Sequence, residues 1–355
     1  MPAYKDQKTG SWYVSIRYTD WTGKKKQTMK RGFRTKREAQ DFEIEFKRKA
    51  AADMNMMLKD FIDIYFEDKK NSLKENSIRN KKHMIETHVL PYFGLKKMNE
   101  ITASDIISWQ NIIREKNYKP TYERMLNNQI NALFNHAQKI YKLQENPCKH
   151  VKRMGKADAK KVEFWTEEEF YKFLQVLEPG TENYLIAEIL FWTGIREGEL
   201  LALTPQNIDL EKNLIEINET YTRIGKRDVI TTPKTETSIR KVHIPEFLKE
   251  EIKEYLSGKY QMPKNERIFT IVSRTLQKRM DKAIEKAGVK KIRVHDLRHS
   301  HVAYLIHQGV PAIVIKERLG HKDIRITMNT YGHLYPSEQT KVAEMLDKNR
   351  NVRDS

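Results

Sequence analysis

Strict alternation of apolar and polar side chains in residues 12–18 is the feature that most limits how this chain can fold. One side of the predicted strand carries four apolar residues: Trp12, Val14, Ile16 and Tyr18. A second strand is predicted around Gln27–Phe33, and Thr35 then begins a helix in which Glu38 completes a capping box. The apolar stripe of that helix suits the apolar side of the sheet: Ala39, Phe42 and Phe46. The sequence therefore predicts a small three-stranded sheet backed by a helix, within residues 1–53.

After this block the periodicity becomes helical. Residues 54–150 are predicted to form an all-helical domain. Its helices are marked by a stripe that begins at Leu58, a run from about Asn76 to His88, a capping box of Thr102 with Asp105, and a run from about Thr121 to Tyr141. The sequence HVLPYFG is expected to interrupt this pattern, because proline breaks helices.

A charged stretch without apolar periodicity, residues 151–164, is predicted to be a flexible linker. Residues 165–355 are predicted to be mainly helical, with strands at about 213–218, 227–232 and 239–244. The predicted fold class is therefore multidomain α+β. It combines a small three-stranded sheet plus helix, an all-helical domain, and a mixed, mainly helical domain with a small antiparallel sheet.

Positive charge is the second constraint, and it is uneven. The 355 residues contain 66 Lys and Arg against 48 Asp and Glu, a formal net charge of +18. Residues 1–37 alone hold eleven basic and two acidic residues, which is +9. Such an excess favours a polyanionic partner, and nucleic acid is the commonest one. The alternative is a basic surface that is merely solvated.

The candidate DNA contacts are basic residues of the sheet and of the polar faces of the helices: Arg17, Lys24, Lys25, Lys26, Lys30, Arg31, Arg79, Lys81, Lys82 and Arg124. Those in the sheet are expected on the face turned away from the helix, where they could enter a DNA groove. An edge kept basic against aggregation is the alternative for the sheet. Scattered helical lysines and arginines are also often only solvated.

Cysteine content and hydropathy indicate the cellular compartment of the protein. Cys148 is the one cysteine, so no internal disulfide can form, which fits a reducing compartment. No apolar run approaches the roughly 20 residues of a membrane span. The N-terminus lacks the apolar stretch of a signal peptide. The expected location is therefore the cytoplasm.

The segment FWTGIREGELLAL, residues 191–203, places an arginine between two predicted helices. Gly194 is expected to end the first helix and Arg196 to begin the second, where free backbone N–H groups attract anions. An arginine at such a corner can bind two phosphate oxygens at once. Glu199 lies three residues on, on the same face, and is placed to orient the guanidinium.

The segment HDLRHSHVAYLIHQG, residues 295–309, brings a histidine and an arginine together. His295 and Arg298 are three residues apart and are therefore neighbours on one helical face. This places a proton-transfer group beside a fixed positive charge. Of the other histidines, His299 is expected to be structural. His301 and His307 are expected to be packing or surface residues.

A zinc site is the alternative for this segment, because His295 and His299 are four residues apart. Against zinc, the second position of the motif holds Asp296 where a metallopeptidase has glutamate, and no obvious third ligand follows. The sequence therefore predicts neither a metal nor a cofactor.

Two further segments carry polar residues that packing does not require. In LGHKDIRITMNTYGHL, residues 319–334, His321 stands at a helix boundary and Tyr331 follows ten residues later. Tyr331 lies near a helix end, so its side chain is expected to be exposed, although packing is the common role of a tyrosine. In TTPKTETSIRKVHIP, residues 231–245, a basic hairpin is predicted with Lys234 in its turn. Lys226 and Lys241 flank it, so spacing alone does not decide which lysine acts.

The end of the chain carries a short apolar stripe at helical spacing: Val342, Met345 and Leu346. It predicts a short amphipathic helix within residues 338–349. Such a helix needs an apolar groove, either on its own domain or on another copy of the chain.

Four of these segments, in this order and at these separations, make residues 165–335 resemble the catalytic domain of tyrosine recombinases: TGIREGELLAL, PKTETSIRKVHIP, HDLRHSHVAYL and LGHKDIRITMNTYGH. The likeness is to integrases of temperate phages and conjugative transposons. The helical block resembles the core-binding domain of that family. The basic sheet resembles its arm-binding domain.

The resemblance implies two arginines that grip the scissile phosphate, two histidines that complete its pocket, a general acid and a nucleophile: Arg196, Arg298, His295, His321, Lys234 and Tyr331. Glu199 supports them. The chemistry is consistent with these roles, because arginines can stabilise the charge on phosphate oxygens that metal ions stabilise elsewhere. A tyrosine, whose pKa is normally about 10, also needs nearby cations and a proton acceptor to attack at neutral pH.

The implied function is a site-specific DNA recombinase, an integrase that acts through a 3′-phosphotyrosyl intermediate to integrate and excise a mobile genetic element. The implied partners are double-stranded DNA at core and arm sites, a homotetramer on synapsed DNA, and an excisionase-type directionality factor. One alternative is a type IB topoisomerase-like nicking-closing enzyme. The two recognition domains and the short C-terminal tail argue against it. Another is a DNA-binding regulator without catalysis, against which the intact set of six residues counts.

Overall fold

The structure is a computed structural model. It describes residues 3–7, 9–19, 25–50, 54–156, 162–233 and 236–335, and for residues 18, 19, 25, 26, 47–50 and 236 it describes the backbone alone. The chain divides into two compact units, Met1–Lys160 and Lys161–Ser355. Among the described residues, no helix is both long enough and apolar enough to cross a membrane.

The first unit begins with the antiparallel sheet that the alternating sequence predicts. Its strands lie in the order β1 (Tyr4–Lys5), β2 (Trp12–Thr19) and β3 (Lys25–Phe33). Helix α1 (Lys36–Ala50) follows, and its capping box is present. The backbone N–H of Glu38 donates to Thr35 Oγ1 at 3.1 Å, and that of Thr35 donates to Glu38 Oε2 at 3.4 Å. Val14, Ile16 and Ala39 are buried together between the sheet and the helix.

The register of this sheet corrects one expectation about its basic face. A β-bulge in β3 around Gly32, whose φ is +89°, brings Lys30 opposite Val14. Directly paired residues project from the same face of a sheet, so Lys30 lies on the helix side. A shift of one residue exchanges the two faces, and the sequence pattern did not reveal the bulge. Arg31 lies on the outer face, with its guanidinium 5.5 Å from the centre of the Tyr13 ring.

The rest of the first unit is helical. Its helices are α2 (Leu58–Lys69), α3 (Glu75–His88), α4 (Leu90–Phe93), α5 (Ala103–Glu115) and α6 (Pro120–Tyr141). The capping box of Thr102 with Asp105 is present at the start of α5. The sequence HVLPYFG, residues 88–94, interrupts the helices as expected: α3 ends at His88, and residues 90–93 form the separate single turn α4. Its proline stands in the first turn, where the missing N–H has no helical partner to lose.

Residues 151–156, expected to belong to a flexible linker, pack onto this helical core. Met154 is 1% exposed and belongs to the same apolar cluster as the helices. Gly155 has φ +72°, and a Cβ there would clash with the carbonyl of Pro120. Close backbone contact therefore orders this stretch without apolar periodicity. The following residues 157–161 lie outside the described part of the chain.

The second unit is mixed and mainly helical, as expected. Its helices are α7 (Glu167–Leu174), α8 (Glu182–Thr193), α9 (Glu197–Leu200), α10 (Glu246–Ser257), α11 (Ser273–Ala287), α12 (Asp296–His307), α13 (Ala312–Leu319) and α14 (Ile324–Tyr331). Its strands are β4 (Ile208–Asp209), β5 (Leu214–Ile217), β6 (Thr220–Ile224), β7 (Arg227–Thr231) and β8 (Arg240–His243). Two of the strands, β4 and β6, were not predicted from the sequence.

The strands of this unit form two separate antiparallel sheets, ordered β4-β5-β8 and β6-β7. The hairpin expected at residues 231–245 is therefore wrong, since β7 and β8 do not pair with each other in the described part of the chain. Strand β8 pairs with β5 and sets Val242 opposite Ile215, both buried. The turn between β6 and β7 is Gly225 and Lys226. Lys234 falls in the connection from β7 to β8.

Candidate active site

The first site residue follows the end of α8. That helix stops at Gly194, whose φ is +65°, and a Cβ at this position would clash with the ring of His301. Arg196 then precedes α9, and its backbone N–H donates to Glu199 Oε2 at 2.9 Å. Its guanidinium Nη1 donates to Glu199 Oε1 at 2.6 Å, with 36% of the Arg196 side chain exposed and 2% of the Glu199 side chain. The contact expected between the two is present.

Glu199 also binds a second arginine, which the sequence did not single out. Arg240, at the start of β8, donates from Nη2 to Glu199 Oε2 at 2.9 Å and from Nε to the carbonyl of Arg318 at 2.8 Å. Burial by itself raises the pKa of Glu199, but Arg240 and then Arg196 outweigh it and lower that pKa. The carboxylate is therefore charged at neutral pH. It joins α9 to β8, and Arg240 in turn binds the end of α13.

Arg298, in the first turn of α12, is the most buried cation of the described site, with 3% exposed. Its Nη1 donates to the carbonyl of Gly194 at 2.6 Å, and its Nη2 donates to the carbonyl of Leu319 at 2.8 Å. Burial, and after it the charge of Arg196, lower the pKa of Arg298 to about 9, so it is still protonated at neutral pH. One corner of the chain thus supports both arginines, because Gly194 stands two residues before Arg196.

His321 follows α13 and joins Arg298. Its Nε2 lies 3.1 Å from Nη2 of Arg298, and its Nδ1 lies 2.9 Å from Oγ1 of Thr327. A guanidinium can only donate, so Nε2 accepts and Nδ1 carries the proton that reaches Thr327. Burial, and after it the charge of Arg298, lower the pKa of His321 to about 4. The ring is therefore neutral at neutral pH.

Tyr331 ends α14, and its side chain is buried, which corrects the expectation that it is exposed. It is 2% exposed and packs in an apolar cluster with Val302, Ile306, Ile315 and Leu319. The physical reason is tertiary: α12 and α13 present an apolar surface that covers the ring, while its polar tip finds a partner. Burial raises the pKa of Tyr331 to about 12, although the charge of Arg298 opposes this.

The partner of the Tyr331 hydroxyl is His299, whose Nδ1 lies 2.5 Å from it. His299 was expected to be structural, so its contact with the Tyr331 hydroxyl is a finding that sequence reasoning missed. The other ring nitrogen, Nε2, lies 3.9 Å from Oδ1 of Asp296. The His299 ring contacts the ring of His295 edge-on, with centroids 5.4 Å apart, and His295 is exposed. Burial, and after it His295, lower the pKa of His299 to about 4.

Other expectations about this unit have mixed outcomes. His301 is buried and accepts a hydrogen bond from Arg318 Nε at 3.1 Å, while His307 is exposed, so both are packing or surface residues as expected. Lys226 and Lys241 are exposed. Four candidate lysines have side chains outside the described residues: Lys24, Lys25, Lys26 and Lys234.

The candidate DNA contacts of the first unit differ in how available they are. Four are exposed: Arg17, Arg31, Arg79 and Lys82. Arg124 is half-buried. Lys81 is also half-buried, and its Nζ donates to Oε1 of Gln129 at 2.9 Å, so it already has a partner within the protein.

The described residues include no group of three His, Cys, Asp or Glu that could hold a metal ion. What they do bring together is two arginine guanidinium groups, neutral imidazoles and a tyrosine hydroxyl. Guanidinium groups bind phosphate oxygens and stabilise negative charge on them. The arrangement is therefore suited to transfer of a phosphoryl group to an oxygen nucleophile.

Comparison with known proteins decides the family. A model described as the phage integrase family matches residues 163–338, a phage integrase N-terminal SAM-like domain matches 57–114, and an arm DNA-binding domain matches 2–50. The ICEBs1 integrase of Bacillus subtilis (strain 168) is 31% identical over 332 residues, which cover 88% of this chain and 90% of that relative. This chain belongs to the phage integrase family. As a member of it, the protein is a tyrosine site-specific recombinase.

Solved structures share the fold of this integrase. The Tn1549 transposon integrase, in complex with transposon right end DNA, aligns with a TM-score of 0.66 at 20% identity over 82% of this chain and 99% of that one. A lambda integrase tetramer bound to a Holliday junction aligns with a TM-score of 0.56 at 17% identity over 91% of this chain and 96% of that one. At such identities the likeness is one of fold, and the expected architecture is confirmed.

Proposed function

We propose that this integrase inserts and excises a mobile genetic element by cutting and rejoining DNA through Tyr331. The observation that carries the proposal is the convergence of the Tyr331 hydroxyl, Arg196 and Arg298 in one compact unit of a phage integrase family member. Relatives named as integrases of the element ICEBs1 and of the transposon Tn1549 support the mobile-element role.

In this proposal Arg196 and Arg298 bind the non-bridging oxygens of the scissile phosphate. A guanidinium has five N–H donors. Arg298 directs donors to Gly194, Leu319 and His321, which fix its plane, and the phosphate takes the others. Because the group is fixed before DNA binds, it stabilises the charge of the transition state without reorganising.

The cleavage step exchanges one phosphate ester for another. The Tyr331 oxygen bonds to phosphorus, the bond from phosphorus to the 5′ oxygen breaks, and the leaving 5′ oxygen takes a proton from Lys234. His295 and His321 flank the phosphate. The 3′-phosphotyrosyl ester keeps the free energy of the broken bond, so a 5′-hydroxyl of the partner strand can reseal it without nucleotide hydrolysis.

A recombination assay in excess EDTA tests the function. Two duplexes that carry the ends of the element are incubated with the protein, and recombinant strands and covalent adducts are measured. We expect strand exchange, with protein on the 3′ phosphate and a free 5′-hydroxyl. Relaxation of supercoiled DNA without recombinants would indicate the topoisomerase alternative, and binding without any adduct would indicate the regulator. A strict need for Mg²⁺ or Zn²⁺ would contradict the role of the arginines.

Lys234→Ala is expected to slow cleavage about 10²–10⁴-fold, the usual contribution of general acid catalysis. A substrate with sulfur at the 5′-bridging position should restore the rate, because a thiolate leaves without a proton. Lys226→Ala and Lys241→Ala are the matched controls and should cleave both substrates at the wild-type rate. Sulfur rescue of either control variant, or no rescue of Lys234→Ala, would assign the general acid elsewhere.

We extend the proposal to DNA contacts outside the site. Residues 1–53 are proposed to bind arm sites, supported by the charge of +9 in residues 1–37 and by exposed Arg17 and Arg31. Residues 54–150 are proposed to bind the core site. Residues 151–164, of which 151–156 pack onto that helical domain, are proposed to connect it to the catalytic domain, 165–355. Contacts of this kind are largely to phosphates, so affinity should fall steeply with salt.

Assembly on DNA is the last part of the proposal. Exchange between two duplexes needs two cuts on each, so four active sites must meet in a homotetramer. The lambda integrase tetramer on a Holliday junction supports this. The stripe of Val342, Met345 and Leu346 lies outside the described residues, and we propose that it docks on the next protomer, with docking on its own domain as the alternative. An excisionase-type factor would set direction, and the reaction would occur in the cytoplasm.

A further inference from the structure

We infer that His299 takes the proton of the Tyr331 hydroxyl during cleavage and returns it during resealing. The inference rests on the proposed function, because it assumes that Tyr331 is the nucleophile. His299 is not among the six residues that the resemblance to tyrosine recombinases implies. It would be a further catalytic residue of the same reaction.

A proton acceptor lies next to the Tyr331 hydroxyl. The hydroxyl lies 2.5 Å from Nδ1 of His299. Tyr331 is 2% exposed and the His299 side chain 13%, so the contact is shielded from bulk water. His299 follows Arg298 directly in α12. The helix therefore turns the Arg298 side chain toward the carbonyls of Gly194 and Leu319, and the next side chain, that of His299, toward α14.

The opposite side of the His299 ring decides which nitrogen carries its proton. Nε2 lies 3.9 Å from Oδ1 of Asp296. Arg293 donates to Asp296 from Nη2 at 2.6 Å and from Nε at 3.0 Å. Burial alone raises the pKa of Asp296, but these hydrogen bonds outweigh it and lower that pKa, so the carboxylate is charged. A charged carboxylate favours a proton on Nε2, which leaves Nδ1 free to accept.

The proton transfer balances in both directions. In cleavage the oxygen–phosphorus bond of Tyr331 forms as its proton moves to Nδ1, and His299 becomes an imidazolium with its Nε2–H directed at Asp296. In resealing the 5′-hydroxyl attacks phosphorus and gives its proton to Lys234, the bond from phosphorus to Tyr331 breaks, and Nδ1 returns its proton to the Tyr331 oxygen. Because the pKa is about 4 for His299 and about 12 for Tyr331, transfer before attack is unfavourable. The transfer therefore accompanies formation of the phosphorus bond.

Two variants separate proton transfer from positioning. In His299→Asn the amide oxygen can accept a hydrogen bond from Tyr331 near the position of Nδ1, but it does not take a proton. In His299→Ala both functions are lost. Adduct formation on a nicked suicide substrate should be slower by about 10²-fold or more in both. His307→Ala, an exposed histidine of the same helix, is the control and should react at the wild-type rate.

A pH profile supplies a readout that a merely structural role would not change. The charged and titratable groups around His299 are His295, Asp296, Arg293, Arg298 and His321, besides Tyr331 itself. Above its low pKa His299 is already neutral, so the wild-type rate should be nearly flat from about pH 6 to 9. In His299→Asn only tyrosinate reacts, so the rate should rise about tenfold per pH unit over this range.

Each outcome decides the inference. Slow variants with a steep pH profile for His299→Asn support it. A wild-type rate or a flat, slow profile for His299→Asn, with an unchanged melting temperature, overturns it. A faster rate would also overturn it, because it would mean that His299 holds Tyr331 back. Tyr331→Phe is run in parallel: if that variant still forms the adduct, the proposed function fails, whereas failure of the His299 variants alone leaves it intact.

Discussion

Tyr331→Phe is expected to form no covalent adduct with DNA while it keeps its fold and its affinity for the core site. The change removes only the hydroxyl, and the ring continues to fill the apolar cluster between α12 and α13. A phenyl ring has no oxygen with which to attack phosphorus, so the covalent ester cannot form. Trapping on nicked substrate, followed by denaturing electrophoresis, measures the adduct directly.

Tyr335→Phe is the matched control for this experiment. Tyr335 lies four residues on, is partly buried in the same cluster, and donates its hydroxyl hydrogen to the carbonyl of Val310 at 3.4 Å. It should form the adduct at the wild-type rate. An adduct with Tyr331→Phe, or its loss with Tyr335→Phe, would show that Tyr331 is not the nucleophile.

Arg298→Lys is expected to slow cleavage about 10²–10³-fold, which is the usual cost of losing one preorganised donor to transition-state charge. Lysine keeps the positive charge, but its single ammonium cannot bind the carbonyls of Gly194 and Leu319 and two phosphate oxygens in one plane. Lysine is preferred to alanine here because alanine would leave a cavity and two unsatisfied carbonyls. The single-turnover rate of adduct formation in EDTA is the measurement.

Arg279→Lys is the control for the arginine experiment. Arg279 lies on α11 and pairs with Glu182 on the protein surface, with 45% of its side chain exposed. It should cleave normally, so a shared loss would indicate a general effect of the substitution. A wild-type rate for Arg298→Lys in EDTA would contradict the account in which this guanidinium is fixed for phosphate.

Local features of the fold could be predicted from the sequence. The capping boxes at Thr35 and Thr102 are present because they depend on residues three apart. The end of α8 at Gly194 and the pairing of Arg196 with Glu199 are equally local. Each of these features depends only on residues within one or two helical turns of each other, so the sequence shows them directly.

Features that depend on distant segments could not be predicted. The burial of Tyr331 requires the apolar surfaces of α12 and α13, and its contact with His299 joins residues 32 positions apart. Arg240 reaches Glu199 across 41 positions. A histidine close after an HxxR motif and an arginine at the start of a strand were the available signals, and neither specifies a partner.

The prediction of strand pairing was wrong for the same reason. The expected hairpin at residues 231–245 joined neighbours in sequence, whereas β8 takes β5 as its partner and buries Val242 beside Ile215. Lys30 lies on the helix side of the sheet and not on the predicted outer face, because one bulged residue near Gly32 shifts the register. Both outcomes are set by which apolar side chains find a common core, and alternation within one strand does not contain that information.

The arrangement of charge around Glu199 has a consequence for the protein when no DNA is bound. Among the described residues of the pocket, three arginines surround this one carboxylate: Arg196, Arg240 and Arg298. The depressed pKa of Arg298 means that its charged form is less favourable in the folded chain than in the unfolded one. The described pocket is thus short of a counter-ion when no DNA is bound, and under the proposed role of Arg298 the DNA phosphate supplies it. Under that proposal DNA binding and folding stabilise each other, because a ligand that binds only the folded state favours folding.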